Sequence, residues 1–152
     1  PHCSGNILIV PLTEMRMMSM RPKQATINIS NLRLRTFIGF NPEEKQKKQD
    51  VVINIEIQYA INPAAMDDHV EQALNYKTIT KQVIEHVESG RFLLLEKLVA
   101  DVLDICSAHH DVQRARVTID KPHALRFADS VSLTMEYQVD IHSHLTLLEK
   151  AS

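Results

Sequence analysis

Four side chains in this 152-residue chain stand where acid–base or binding chemistry is available: Glu96, Lys121, Tyr76 and Glu44. On a helix, the neighbours of Glu96 three and four residues away are Phe92, Leu93, Val99 and Ala100, all apolar, and no cation stands at helical spacing to pair with it. A carboxylate in the first turn of a helix is stabilised by the positive end of the helix dipole. Beside an apolar stripe it can accept two hydrogen bonds from a guanidine-like N–H pair. The same position also suits an ordinary helix-capping or rim glutamate. Lys121 precedes Pro122, which biases it to extended backbone and carries its side chain past a sheet edge. In a partly dry cleft such a lysine is a proton shuttle; in the open it is a strand-end surface lysine. Tyr76 follows the Asp67–Glu71 acidic stretch and is a proton relay or a packing residue, and Glu44 lies in a charged turn where solvation is the ordinary explanation.

Other chemistries are excluded by composition. Three glycines leave no room for a glycine-rich phosphate loop or a dinucleotide fingerprint. The two cysteines, Cys3 and Cys106, are far apart and form no CxxC pair, which excludes a disulfide scaffold and a cysteine-rich zinc site. His142-x-His144 is the only alternating histidine pair and falls in the tail, while His109 and His110 are adjacent and poorly disposed to face one ion, so no metal is expected. Seventeen Lys and Arg against 19 Asp and Glu give a net charge of −2, which gives no support to nucleic-acid binding. No apolar run approaches the ~18 residues that span a membrane. The expectation is a cytoplasmic, soluble, reduced domain.

The elements that must position these side chains are legible from periodicity. Residues 1–24, with four of the six methionines, read as an extension, disordered or left from cloning, or as an alternative start region. Period-two alternation begins at Ala25: Ile27, Ile29, Leu32 and Leu34, with a slip at Ser30-Asn31 that reads as a bulge. A turn at Gly39-Phe40-Asn41-Pro42 leads into a second strand, Val51 to Tyr59, with one apolar face. After Asn62-Pro63 the period changes. Ile79, Val83 and Val87 mark one helix ending at Ser89-Gly90, and Leu95 to Cys106 mark another from about Phe92. Ala115 to Ile119 and Val131 to Tyr137 are two more strands. The order ββααββ predicts an α+β fold: a four-stranded antiparallel sheet with two helices on one face. Its edge strands are neither short nor broken by proline, so a homo-oligomer is expected.

Taken in order, Leu32-Arg33-Leu34-Arg35-Thr36-Phe37-Ile38-Gly39, Gln49-Asp50-Val51-Val52-Ile53-Asn54, Leu74-Asn75-Tyr76-Lys77-Thr78, Leu94-Leu95-Glu96-Lys97-Leu98 and Asp120-Lys121-Pro122-His123-Ala124-Leu125-Arg126 resemble the dihydroneopterin aldolase family, most closely its epimerase branch. The resemblance covers roughly residues 25–138 and sets 139–152 aside as a C-terminal tail. It implies the tunnelling fold (T-fold), in which ββααββ subunits join edge to edge into an oligomeric barrel. Tetrameric rings stack, commonly as an octamer, with active sites between neighbouring subunits.

Carried onto this chain, Glu96 would anchor a pterin, with Leu95 and Leu74 lending nearby backbone groups. Lys121 would be the principal acid/base, Tyr76 from the adjoining subunit would help move a proton, and Glu44 (or adjacent Glu43) would match a functional loop glutamate. His123 and Arg126, or Lys77 and the Lys45–Lys48 turn, would meet a triphosphate. The implied activity is 2′-epimerisation of 7,8-dihydroneopterin triphosphate without any cofactor, the dihydropterin ring acting as its own electron sink. Aldolase cleavage in folate synthesis is the alternative, and a non-catalytic pterin-binding module is a third reading.

Overall fold

The computed structural model describes residues 23–140. Strand β1 (Gln24–Ile38) pairs antiparallel with β2 (Gln49–Ala60), and two 3-10 turns, Pro63–Asp67 and Val70–Gln72, lead to helix α1 (Tyr76–Ser89). A two-residue strand β3 (Arg91–Phe92), helix α2 (Leu95–Ser107) and the antiparallel strands β4 (Val112–Pro122) and β5 (Ser130–Gln138) complete the chain. The sheet order is β3-β1-β2-β4-β5.

The expected slip in β1 is present. Register shifts between Ile29 and Leu32, where Asn31 takes a left-handed φ of 56° and its N–H donates to Asn54 Oδ1 at 2.9 Å. Alternation puts Val51, Ile53, Ile55 and Ile57 of β2 and Ala115, Val117 and Ile119 of β4 inward, against Val83 and Val87 of α1 and Leu98, Val99 and Val102 of α2. Each large aliphatic side chain taken fully from water contributes about 1.5–3 kcal/mol. Thr36, the one buried polar residue of this core among the described residues, donates from Oγ1 to Val87 O at 2.6 Å, which ties the end of β1 to the end of α1.

α1 is capped by Asn75, whose side chain accepts from Thr78 N. The second helix departs from its expected start. Phe92 does not open α2; it pairs in β3 with Ile38, and Gly39 N donates to Phe92 O at 2.9 Å. Among the described residues the sheet therefore has five strands rather than four. The reason is local: Gly90 ends α1 in extended backbone, and Phe92 buries its ring in the core, so two residues dock on β1 before α2 begins.

Among the described residues, β1 is covered along its outer edge only at Phe37 and Ile38, and β5 has no partner on its far side. Both long edges present unpaired backbone groups. The expected tails, 1–24 and 139–152, lie mostly outside the described residues. Of the parts that are described, Gln24 already pairs in β1, and Val139 N donates to Gln113 O at 2.9 Å. No helix among the described residues is long and apolar enough to cross a membrane.

Candidate active site

The C-terminal end of β1, the start of α2 and the end of β4 meet around a cleft of about 300 Å³. Its lining includes Gly39, Glu44, Leu95, Glu96 and Lys121, so residues 39, 44, 96 and 121 of the chain converge on one space. Lys121 is the penultimate residue of β4, and its ammonium donates to a Glu44 carboxylate oxygen. Both side chains are largely removed from water, at 14% and 21% exposure. The Lys121 ammonium hydrogen-bonded to Glu44 holds that carboxyl below its usual range against the upward push of burial, with Gln49, the Lys121 charge and the Asn41 backbone adding to the effect. Glu44 is therefore held as the carboxylate, with the Lys121 side chain as its hydrogen-bond donor at the wall of the cleft.

The loop carrying Glu44 is fastened at several points. Glu44 N donates to Asn41 Oδ1 at 2.8 Å, and Gln49 Nε2 donates both to Ile38 O at 2.6 Å and to Glu44 Oε2 at 3.3 Å. Gly39 sits at φ 129°, in the region that favours glycine, and a Cβ there would collide with the Glu44 carboxylate.

Glu96 enters the cleft from the first turn of α2. Leu94 precedes that helix without a side-chain cap, so the N-terminal amides and their positive dipole are left to favour the Glu96 carboxylate. Among the described residues Glu96 has no hydrogen-bond or ion-pair partner. Around the cleft Phe40, Leu93 and Leu94 keep 69%, 57% and 51% of their surface exposed, an apolar rim that a planar ligand can cover.

Within one chain, four of the sequence-predicted residues (Glu44, Leu95, Glu96 and Lys121) line the cleft, and Tyr76, Leu74, His123 and Arg126 do not. The Leu74 side chain is in the chain's own core at 8% exposure, so it has no free face for a ligand and offers only its backbone. Tyr76, the first residue of α1, is half-exposed. His123 takes a left-handed φ of 61°, with its N–H donating to Asp129 O at 3.2 Å, and Arg126 lies 5.4 Å from the Phe127 ring centroid. Their loop does reach the cleft through Ala124.

Contrary to the expectation from sequence, His109 and His110 can turn toward one point. His109 and His110 stack at 4.5 Å, and with Asp111 their ligand atoms lie within 4.8 Å of one another. Adjacent histidines are therefore brought to one place, although the His109 Nδ1 already accepts from Asp111 N at 3.1 Å and the group does not line the cleft. His142 and His144 fall outside the described residues.

Gln49, Asn41 and Gly39 are the site residues that periodicity did not single out. A glutamine opening an alternating strand looks like a solvated polar position, and only the folded hairpin shows that it reaches back to Ile38 and Glu44.

Residues 27–136 match the family model described as FolB: Dihydroneopterin aldolase. The chain is 55% identical over 119 residues to the dihydroneopterin triphosphate 2′-epimerase of Escherichia coli (strain K12), covering 78% of this chain and 99% of that protein. Identity to the Pseudomonas aeruginosa protein of the same name is 50%, over 78% of this chain and 97% of that one. The crystal structure of E. coli dihydroneopterin aldolase in complex with neopterin superimposes with a TM-score of 0.69 at 30% identity, covering 74% of this chain and 98% of that one. With the ββαβαββ subunit, these similarities establish that the chain belongs to the dihydroneopterin aldolase family.

Proposed function

We propose that this chain is a dihydroneopterin triphosphate 2′-epimerase, converting 7,8-dihydroneopterin triphosphate to its 7,8-dihydromonapterin epimer. The observation that carries this reading is the 55% identity to the epimerase over nearly all of that protein's length. The site is chemically suited to the reaction: an unpartnered carboxylate at one side of the cleft and an ammonium–carboxylate pair at the other.

The Glu96 carboxylate accepts hydrogen bonds from the 2-amino group and the neighbouring ring N–H of the pterin, and backbone groups at Leu95 and Leu74 assist. Phe40, Leu93 and Leu94 cover the ring. This places the hydroxylated side chain toward Lys121 and Glu44. The 2′-hydroxyl proton is removed there, with Tyr76 of the adjoining subunit relaying it. The C1′–C2′ bond then breaks, its electron pair becomes a C6=C1′ double bond, and the N5=C6 π pair moves onto N5, which takes up a proton. The C2′ fragment is now an aldehyde. Turning its other face and recombining by the reverse steps inverts C2′, and every proton and electron is returned. The ring itself is the electron sink, so no cofactor or metal is required. If the aldehyde escapes, the same site acts as an aldolase, which we assign as a side activity.

Retention of the aldehyde is what separates the two outcomes, and the triphosphate provides the hold. We assign that hold to His123 and Arg126, with Lys77 and the Lys45–Lys48 turn as further cations. The open edges of β1 and β5 support assembly of the 25–138 catalytic domain into tetrameric rings stacked as an octamer, with each site shared between two subunits. A cytoplasmic setting accords with Cys106, a free thiol that burial pushes up to about 12.

The test is incubation of purified protein with dihydroneopterin triphosphate and with dihydroneopterin, resolving the products by chromatography. Faster formation of the epimer from the triphosphate is expected. Faster release of 6-hydroxymethyl-7,8-dihydropterin from the unphosphorylated compound would instead make the chain an aldolase.

A further inference from the structure

Gln49 opens β2, opposite Thr36 of β1, and its side chain is partly buried behind the loop that carries Glu44. Its amide nitrogen has two hydrogens and two acceptors: Ile38 O at 2.6 Å and Glu44 Oε2 at 3.3 Å. Both partners are pure acceptors, so the amide orientation is dictated by the network and not by the resemblance of its two ends. The Glu44 oxygen that accepts from Gln49 is also the one that accepts from Lys121.

From this geometry we infer that Gln49 is a positioning residue: anchored on the β1 backbone, it holds the Glu44 carboxylate against the Lys121 ammonium at the reacting end of the cleft. The inference rests on the proposed reaction for its consequence, but on the hydrogen-bond network for its content. Gln49 does not line the cleft, and it acts on substrate only through Glu44. The strong bond to Ile38 O makes the difference. Arg91, Arg35 and Lys48 fasten the loop further along, at Lys45 and Lys48, and Asn41 shapes its turn, but Gln49 is the side chain that ties the Glu44 carboxylate itself to the end of β1. Without Gln49, Glu44 keeps its salt link to Lys121 and a long hydrogen bond from Asn41 N at 3.5 Å but loses its tether to the end of β1, and the pair is free to shift from the C2′ oxygen. Misplacement by a fraction of a bond length is costly in proton transfer, whereas pterin binding through Glu96 is made elsewhere in the cleft.

Two variants remove the donor at nearly constant size: Gln49→Met, and Gln49→Glu, which also sets a second carboxylate beside Glu44. Two readouts are taken on each. One is a carbon-13 NMR titration of the Glu44 carboxyl, assigned by its disappearance in Glu44→Gln. The charged groups around that carboxyl are Lys121 of β4, Glu43 and Lys45 on its own loop, and Glu96 of α2 across the cleft. Loss of a donor to the anion raises the midpoint, by about one pH unit in Gln49→Met and by more in Gln49→Glu. The other readout is turnover of dihydroneopterin triphosphate alongside fluorescence titration with neopterin. A kcat about tenfold lower with neopterin affinity within about twofold of wild type is expected.

An unmoved midpoint in either folded variant overturns the inference, as does a parallel fall of kcat, affinity and melting temperature, which is the mark of a residue that only supports the fold. The NMR midpoint judges Gln49 whether or not the protein turns over any pterin. Absence of turnover by the wild-type chain counts against the proposed function alone.

Discussion

Glu96→Gln is the substitution that most directly interrogates the binding end of the cleft. The change keeps the size of the side chain and replaces one acceptor oxygen by an N–H donor. Glu96 has no partner in its own chain among the described residues, so nothing intramolecular is broken except its interaction with the uncapped end of α2. That interaction is worth about 0.3–1 kcal/mol, which bounds the loss of stability. A ligand presenting two N–H groups suffers far more. One charge-assisted hydrogen bond is lost and the other is weakened, and a donor is turned toward a donor. At about 1.5–3 kcal/mol for each bond to a charged group, the loss is roughly 3–4 kcal/mol, or about 150- to 1,000-fold in affinity. Equilibrium fluorescence titration with neopterin measures this directly, and a thermal melt of the same sample checks that the fold is intact. Affinity within about threefold of wild type would refute the assignment of Glu96 as the anchor, and with it the orientation of substrate in the cleft.

Three further outcomes are expected. Lys121→Met removes the ammonium while keeping the apolar stem, and turnover should fall by about 10²- to 10⁴-fold with neopterin affinity retained; steady-state kinetics within tenfold of wild type would remove Lys121 from the mechanism. Gly39→Ala sets a Cβ on the Glu44 carboxylate at a φ of 129°, so both melting temperature and turnover should drop, and a variant of unchanged activity would contradict the close approach. Acid should destabilise the protein through Glu44 and Asp101. Asp101 is pushed up by burial, but hydrogen bonds from Lys97 and His86 outweigh this, and both carboxyls titrate below their ordinary 4.5 and 3.8. A folded-state value below the unfolded one contributes stability above the unfolded value and loses it as pH falls through the folded one. Melting temperature should therefore be insensitive to these groups above about pH 5, fall progressively below pH 4.5, and fall less in Glu44→Gln.

Alternation in β1, β2, β4 and β5, the bulge at Ser30-Asn31 and the stripes of α1 and α2 were all legible from the chain alone, because burial on one face imposes a period of two or 3.6 on any half-covered element. The two-residue strand Arg91–Phe92 was not legible. Two residues carry no period, and Phe92 sits at a spacing from Leu95 and Val99 that also fits a helix. Its pairing with Ile38 is decided by what the end of β1 leaves unpaired.

The candidate site divides along the same line. Residue type and local spacing determined that Glu96 would stand on a helix beside apolar neighbours and that Lys121 would end a strand, since both follow from the backbone of one element. The place of Glu96 in the first turn followed only once the structure moved the helix start from Phe92 to Leu95. That Glu44 meets Lys121 across 77 positions, that Gln49 and Gly39 shape its approach, and that Leu74 turns into the core while Tyr76 faces outward were decided only by tertiary structure. The physical reason is that a pattern along the chain reports which face of an element is dry. The partner of a polar group is set by sheet register and by how a hairpin loop folds back, and these depend on all the strands packing at once.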